Sequence, residues 1–552
     1  MEQSLPVSTV EFPANAPSQA LAYLQAVTAP EHISAKTRAT LYRLLIPSFS
    51  DCFFVAVLVW LFVAGASGWK ALLMDGDTGW HIRTGQYILD HGSIPRQDLF
   101  SYSKPGAAWF AWEWLSDVVF ALLFGAGLKG VVLFAGVLIA ALSTILLRYT
   151  LWLRTNSLIA LLTTLLAVGS SSMHFLARPH LFTLLLLPIC IWLLQRDRVK
   201  ADGWVWMLVP LVLLWTNLHG GFMVLLACLA LLVLGGAVET WMRGSGWTLS
   251  YRYLALFAAC CAVTVVNPYG VHLHAHIWQY LRSDWIRNLV QEFQAPTFRN
   301  EGQLQFEILL ILGLMTAGVL LIRGKITELS WLLFLAHSSL TSVRHAPLYA
   351  LVAAPLLAIG LSDWWKQNAR LAGSRSYRRI LFQLGEDLRP GFMRTSLWVC
   401  TPVLALFLIN APVSWPRDFP KEAFPTDLIQ RNQHLLSAGR VFTSDQWGDY
   451  LIYLFYPKQK VFFDGRSDFY GEDLGQEYLA LLQGNNRALS LVRQHQFNVM
   501  LLPVEWPLAD LLKSEPGWTV VDHSKQAVLF AAGPRNPEVV ALERKPTSGL
   551  MK

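Results

Sequence analysis

Long apolar segments alternate with short polar turns over the first three quarters of the chain. A helix of about 20 apolar residues crosses a bilayer core about 30 Å thick. We therefore predict eleven transmembrane helices, at 52–69, 130–152, 157–176, 180–195, 204–217, 221–241, 252–267, 305–322, 329–343, 346–362 and 394–411. Two further apolar stretches, 79–91 and 112–127, are interrupted by charges, and we predict helices lying at the membrane surface there.

Basic residues are distributed unevenly between the predicted loops. With the N-terminus in the cytoplasm, the cytoplasmic loops collect nearly all Lys and Arg, while the short outer loops hold only Arg178 and Arg344. Short cytoplasmic loops are typically rich in these residues. We therefore expect residues 1–50 to form a cytoplasmic leader without a cleavable signal peptide and with a surface helix near 36–47. The region after the last span is expected on the outer side.

The hydrophobic period changes after about residue 412. A proline-punctuated linker, 412–425, precedes short alternating segments. We predict strands at 440–443, 460–463, 498–502, 519–521 and 527–530, and helices at 447–455, 472–482, 488–496 and 506–512. Such alternation indicates a small α/β domain over 412–533. A polar tail, 534–552, follows it. The transmembrane domain is then 51–411, with a first outer loop at 70–129.

Composition agrees with a polytopic α-helical membrane protein. Of 552 residues, 54% are hydrophobic and 15% are charged, against roughly 25% charged in soluble domains. These figures exclude a disordered chain, a coiled coil and a disulfide-rich secreted module. The net charge of +7 is explained by the cytoplasmic loops, and no aromatic-basic platform predicts nucleic-acid binding. The six cysteines lie in predicted spans without zinc spacing, which favours buried side chains.

Unusual polar residues gather on the predicted outer side of the membrane. They are Asp75, Asp77 and His81 in the first outer loop, Arg178 and His219 in later outer turns, and Arg344 and His345 in the last one. Polar groups at this depth are costly unless they serve packing or function. Their common side predicts one water-accessible cavity, with independent capping and snorkelling at helix ends as the alternative.

Asp75 and Asp77 are the strongest candidates for catalytic or metal-binding residues, because Gly76 between them allows a tight turn in which both carboxylates converge. Converging carboxylates bind a divalent cation such as Mg²⁺ or Mn²⁺. Alternatively, one carboxylate acts as a base while the other raises its pKa. A third interpretation is a helix start, since Asp is a favoured capping residue.

The basic residues and the exported domain supply further candidates. Arg178 and Arg344 suit a phosphate group, because guanidinium binds it in a forked geometry; lipid headgroups are the alternative ligand. His219 and His345 are suited to polarising a leaving group or to binding a metal, and hydrogen bonding at a helix end is the alternative. His81, Asp464, Arg466, Asp468 and Tyr470 are candidates for the acceptor side of the site. An internal Asp–Arg pair that fixes the 464–470 loop is the competing interpretation.

The order of elements resembles the GT-C superfamily of membrane glycosyltransferases, and most closely a group of largely uncharacterised bacterial multi-pass proteins assigned to it. One span is followed by a long outer loop that opens with Asp-X-Asp, then by a bundle of spans and a soluble domain. The matching segments are 75–81 (DGDTGWH), Gly85, 92–95 (GSIP), 113–115 (EWL), 178–180 (RPH), 217–221 (NLHGG), 267–270 (NPYG), 344–345 (RH) and 463–471 (FDGRSDFYG).

This resemblance implies inverting transfer of a hexosyl or pentosyl group from a polyprenyl-phosphate sugar. The acceptor is a glycan, lipid or protein at the periplasmic face of the bacterial inner membrane. The catalytic Asp of the superfamily lies in the first outer loop, matched here by Asp75 or Asp77, and some members bind a divalent metal there. A second acidic motif, common in metal-dependent members, is not evident in the next outer loops.

Two other classes of function compete with the enzyme. The first is a non-catalytic membrane scaffold for envelope assembly that holds a partner through the exported domain. The second is a lipid or polysaccharide translocator, which would need an aqueous path across the whole membrane. Acids are nearly absent from the middle of the predicted spans, which argues against ion-driven transport.

Overall fold

The computed structural model describes residues 45–64, 68–299, 303–409 and 413–533. This part of the protein is mostly helical and carries one small β-sheet near its C-terminal end. Nearly all of the predicted leader, with its helix near 36–47, and the predicted tail 534–552 lie outside the described residues.

The first part of the chain forms a bundle of helices. In chain order these are α1 (Phe49–Val59), α2 (Asp77–His91), α3 (Trp114–Phe124), α4 (Leu128–Trp152), α5 (Ser157–Ser171), α6 (His180–Val199), α7 (Leu208–Leu218), α8 (Phe222–Arg243), α9 (Thr248–Val263), α10 (His272–Arg282), α11 (Asp284–Leu289), α12 (Leu304–Ile322), α13 (Ile326–Thr341), α14 (Ala346–Leu371), α15 (Tyr377–Met393) and α16 (Cys400–Leu408).

Six helical segments of the described chain are long and apolar enough to cross a membrane. They are Leu128–Trp152, Ser157–His174, His180–Val199, Phe222–Arg243, Leu304–Ile322 and Val343–Leu371. Each of the other five predicted spans also contains a helix, but those helices are shorter than the 18 residues that this criterion requires. The multi-pass character is therefore supported, whereas the predicted count of eleven spans is not confirmed.

The C-terminal part is a small α/β unit. Its helices are α17 (Thr426–Arg431), α18 (Gln433–Leu436), α19 (Asp445–Phe455), α20 (Ser467–Leu482), α21 (Ala488–Gln494) and α22 (Pro507–Ser514). Its strands are β1 (Val441–Phe442), β2 (Val499–Pro503), β3 (Trp518–His523) and β4 (Ala527–Ala532), in the sheet order β1-β2-β4-β3. β1 pairs parallel with β2, and β4 pairs antiparallel with both β2 and β3.

One predicted strand of this unit, 460–463, is wrong. Val461 instead forms a single parallel bridge with Ser101 of the first outer loop. The Val461 amide donates to the carbonyl of Phe100 at 2.9 Å, and the Tyr102 amide donates to the carbonyl of Val461 at 3.0 Å. The apolar residues that predict a strand are thus used for contact with a segment about 360 positions earlier in the sequence.

The first outer loop is packed directly against the C-terminal unit. Helix α2 packs against both α3 and α19. A Cβ at Gly79 of α2 would lie 2.8 Å from the carbonyl oxygen of Asp449 and 2.8 Å from Cβ of Tyr453. Only glycine therefore allows α2 and α19 to approach this closely. Helices form at both stretches for which surface helices are predicted, 79–91 and 112–127, and their position at the membrane surface stays a prediction.

A buried arginine fastens the same contact. Arg466 donates to Asp98 of the first outer loop at 2.8 Å and to both carboxylate oxygens of Asp464 at 2.7 and 2.8 Å. The hydroxyl of Tyr470 donates to Asp464 at 2.6 Å. Arg466 is only 3% exposed. Because buried charges are tolerated only when they are paired, this group joins the two regions strongly.

We expect Arg466→Gln to destabilise the protein by roughly 3–5 kcal/mol, because it leaves two buried carboxylates without their cation. Arg431→Gln is the matched control: Arg431 pairs with Asp522 but is about half exposed, so its loss should cost about 0–1 kcal/mol. Thermal unfolding of the two purified proteins in detergent measures the difference. Equal losses would show that the Arg466 contact adds nothing beyond a surface pair.

Candidate functional site

Arg178 lies at the centre of a cluster of three carboxylates from two separate segments. Its Nη1 is 2.7 Å from Oδ2 of Asp75 and 2.9 Å from Oε1 of Glu292, and its Nη2 is 2.7 Å from Oδ2 of Asp77. The turn that carries Arg178 is tied to the first outer loop by its backbone, since the amide of Ala177 donates to the carbonyl of Leu72 at 2.8 Å. The meeting of Arg178 with the two aspartates is thus fixed by main-chain contacts.

The Asp75–Asp77 turn starts helix α2. The amide of Asp77 donates to Oδ1 of Asp75 at 2.9 Å, and the amide of Gly76 donates to the side chain of Gln446 at 2.7 Å. Asp75 therefore accepts a hydrogen bond within the turn before the helix and also binds Arg178, while the N-cap residue is Gly76. The capping and the functional interpretations of this turn are both compatible with its geometry.

Asp77 is nearly enclosed by protein. A Cβ at Gly465 would lie 2.1 Å from Oδ1 of Asp77 and 2.8 Å from Oδ2 of Asp449, so only glycine fits where the C-terminal unit covers this carboxylate. Burial raises the pKa of Asp77 to about 7, against the opposing charge of Arg178. Burial, and then the charge of Asp77, also raise the pKa of Asp449 well above its ordinary value.

Two cavities meet at Arg178. The basic cavity, about 160 Å³, is lined by cationic and imidazole side chains, namely Arg178, Arg344, His174, His180, His219 and His345. The acidic cavity, about 60 Å³, is lined by the carboxyl groups of Asp77, Glu113, Asp117 and Asp468. Trp112, Arg178 and Tyr280 line both cavities. Arg178 thus separates a space suited to an anion from a space suited to a hydrogen-bond donor.

Arg344 reaches the basic cavity from the opposite side. Its guanidinium lies 4.3 Å over the ring of Phe293, and its Nη1 is 3.4 Å from the hydroxyl of Tyr280. Among the described residues, Asp75 and Asp77 have Arg178 as their ion-pair partner and not Arg344. The two predicted arginines therefore share a cavity, while only one of them contacts the predicted acids.

The hydrogen bonds of His219 fix its tautomer. Its Nδ1 accepts from the amide of Gly221 at 2.9 Å and lies 2.8 Å from the hydroxyl of Thr183. Because a backbone N–H can only donate, the proton of the neutral ring is on Nε2, which is 3.4 Å from Oε1 of Glu113. Burial lowers the pKa of His219 well below its ordinary value. His219 is thus a neutral group that orients Glu113.

Glu113 and Asp117 line the acidic cavity, although the sequence patterns predict no role for either residue. Glu113 lies between two imidazoles, since Nε2 of His81 is 3.8 Å from its other oxygen. Nδ1 of His81 is 2.6 Å from Asp117. Burial raises the pKa of Glu113 to about 8, although Arg178 opposes the shift. His81, predicted on the acceptor side, lies in the wall of the acidic cavity and is 1% exposed.

The other predicted acceptor-side residues are divided by the structure. Asp464 and Tyr470 are buried in the network around Arg466, which is the internal Asp–Arg pair named above as the competing interpretation. Asp468 lines the acidic cavity, and its Oδ2 is 3.0 Å from Nε2 of His276 on α10. Of these residues, only Asp468 combines a place at the cavity with a carboxylate outside that network. His345, predicted beside the phosphate, lines the basic cavity.

The side chains present do not fit a divalent cation. Within the described residues, no group of three or more His, Cys, Asp or Glu is arranged to hold a metal ion. Arg178 takes Oδ2 of both Asp75 and Asp77. A guanidinium therefore lies where the sequence predicts convergence of the two carboxylates on Mg²⁺ or Mn²⁺.

Comparisons with known proteins return only distant structural likenesses. No protein-family model and no curated protein matches the sequence. Among solved structures, the chain is similar to the archaeal oligosaccharyltransferase AglB from Archaeoglobus fulgidus in complex with an inhibitory peptide and a dolichol-phosphate. Identity is 12% over 85% of this chain and 70% of that one, with a TM-score of 0.47. The apo form of the Archaeoglobus fulgidus oligosaccharyltransferase is similar at 12% identity over 83% and 69%, with a TM-score of 0.45. Both TM-scores lie below 0.5, so neither likeness indicates a function for this chain.

Proposed function

We propose that the protein is a GT-C-like glycosyltransferase. It transfers a hexosyl or pentosyl group, with inversion, from a polyprenyl-phosphate sugar to a glycan, lipid or protein acceptor. The reaction takes place at the periplasmic face of the bacterial inner membrane. The single observation that supports this most is the position of Arg178, which holds Asp75 and Asp77 and lines a basic cavity beside them.

In this proposal the acceptor hydroxyl enters the acidic cavity and Asp77 takes its proton. The acceptor oxygen bonds to the anomeric carbon while the bond between that carbon and the phosphate oxygen breaks. The electron pair leaves with the phosphate, which Arg178 and Arg344 stabilise in the basic cavity. Asp77 is a better base than Asp75, because it lines the acidic cavity whereas Asp75 caps the turn.

A second opening supports sideways entry of the donor, with its lipid chain left in the bilayer. A cavity of about 710 Å³ lies between the α10–α12 connection and the end of α13. It shares Leu281 and His345 with the basic cavity. A phosphate can therefore reach the arginines from the side of the helix bundle, without passing through the acidic cavity.

We expect Asp77→Asn to lower the rate of transfer from a radiolabelled polyprenyl-phosphate sugar by at least about 100-fold, which is typical for loss of a general base. Asp75→Asn should cost less, because the amide still caps the turn. Asp510→Asn, on the exposed face of α22, is the control and should match the unaltered protein. Full activity in both the Asp75 and Asp77 variants would remove these residues from the mechanism, whereas absence of transfer by the unaltered protein would favour the non-catalytic scaffold.

The pH dependence provides a second test. A base must be ionised, so kcat/KM should rise with pH through about 7, the pKa of Asp77, and level off above it. The charged groups facing Asp77 are Arg178, Asp75 and Glu292, and the carboxyl group of Asp449, whose pKa is itself raised, lies behind it. Arg178 lowers this pKa, so Arg178→Gln should move the midpoint upward as well as reducing the rate. A midpoint that stays at about 7 in that variant would exclude Asp77 as the titrating group.

A further inference from the structure

Glu292 is the third carboxylate on Arg178, and neither the sequence patterns nor the proposed mechanism uses it. It belongs to a single helical turn, Gln291–Phe293, between α11 and α12. Its Oε1 is 2.9 Å from Nη1 of Arg178, and its side chain lines the basic cavity together with Arg344. A carboxylate therefore occupies the side of the basic cavity on which the donor phosphate is proposed to bind.

The backbone around Glu292 is anchored to the segment that carries Arg344. The hydroxyl of Ser342 donates to the carbonyl of Glu292 at 2.9 Å, and the amide of Val343 donates to the carbonyl of Gln294 at 2.9 Å. The next side chain, Phe293, lies under the guanidinium of Arg344 at 4.3 Å. Glu292 thus projects from a fixed turn into the space between the two arginines.

The three carboxylates on Arg178 differ in how firmly they are held. The side chains of Asp75 and Asp77 are 12% and 8% exposed, whereas that of Glu292 is 30% exposed. Asp75 also binds the start of helix α2. Among the described residues, the Glu292 carboxylate accepts a hydrogen bond from Arg178 alone. Glu292 can therefore leave Arg178 by a side-chain rotation alone, with its turn unmoved.

The Glu292 carboxylate and a phosphate group are both anions, so they cannot occupy the same place beside Arg178 together. Burial alone would raise the pKa of Glu292, but the guanidinium groups of Arg178 and Arg344 hold it well below its ordinary value. Glu292 is therefore ionised at any working pH. A like charge placed beside it in a partly buried site would be strongly unfavourable. An incoming phosphate must displace this carboxylate.

We propose that the Glu292 carboxylate is a stand-in for the donor phosphate, occupying the anion subsite between Arg178 and Arg344 until a phosphate group displaces it. This inference rests on the proposed function for the identity of the occupant. The subsite itself takes the phosphate group of a lipid or a free phosphate ion, since both present the same oxygens to the guanidinium groups. Glu292 thereby fills the anion subsite when no donor is bound.

Binding to Glu292→Gln tests the proposal, because Gln preserves the size of the side chain and removes its charge. The affinities of inorganic phosphate and of farnesyl phosphate are measured by calorimetry on the purified full-length protein in detergent at fixed ionic strength. We expect the Kd to fall by on the order of tenfold, since the competing anion is gone. Glu292→Ala should give the same direction. Glu307→Gln, at the start of α12 and away from the cavity lining, should leave Kd unchanged.

The outcomes separate the sources of the ligand. A lower Kd for both probes supports a subsite that recognises the phosphate group alone, and a lower Kd for farnesyl phosphate only supports a lipid-linked occupant. An unchanged or higher Kd for both probes in the two Glu292 variants overturns the proposal. The transfer assay is independent of this result. If phosphate binds as expected but no sugar is transferred, the proposed function fails while the subsite stands.

Discussion

The site depends on the burial of charge around Arg178. An ion removed from water is tolerated only when an opposite charge and hydrogen bonds replace its hydration. Burial would lower the pKa of Arg178, but Asp75, Asp77 and Glu292 raise it well above its ordinary value. One cation among three anions leaves the carboxylates only partly compensated. Because positive charge is insufficient, the effect of burial on the pKa of Asp77 exceeds the opposing effect of Arg178. The pKa of Asp77 therefore lies near the range in which a general base works.

The C-terminal unit is part of the site rather than an appendage. Glycine at two positions, Gly79 and Gly465, allows backbone to approach where any side chain would collide with α19 or with the carboxylate of Asp77. Arg466 then fixes the approach through Asp98. The result is a lid of protein over Asp77 that excludes water on one side and leaves the acidic cavity open on the other. An electrostatic site benefits from such exclusion, because interactions strengthen as the local dielectric falls.

The sequence predicts the parts of the structure that depend on local periodicity and on topology. The periodicity of apolar residues and the distribution of basic residues among the loops predict that Asp75, Asp77, Arg178 and Arg344 lie on the same side of the membrane. The contact of Arg178 with both aspartates agrees with that prediction. The role of Glu292 is not predictable in this way. A single acid in a long loop has no periodic signal, and its partner lies 114 positions away.

The error at 460–463 has a long-range cause. The segment is apolar because it meets the first outer loop, where Val461 forms a bridge with Ser101. A distant partner therefore determines its environment, and local sequence cannot show which partner that is. Asp468 and Asp464 illustrate the consequence. They are four positions apart, yet one lines the cavity while the other lies inside the Arg466 network.

Charge conservation connects the proposed chemistry to this arrangement. A polyprenyl-phosphate sugar is a phosphodiester with one negative charge, so its exchange for the Glu292 carboxylate leaves the charge on Arg178 unchanged. Transfer then converts the diester to a monoester, which adds one negative charge on the basic side. In the proposed mechanism, Asp77 at the same moment gains the acceptor's proton and loses one negative charge on the acidic side. Arg178 contacts the carboxylate of Asp77 and lines the cavity proposed for the phosphate. In this proposal, the total charge around its guanidinium therefore stays constant from the empty site to the products. A buried site gains from this balance, because no step requires water to solvate a new net charge.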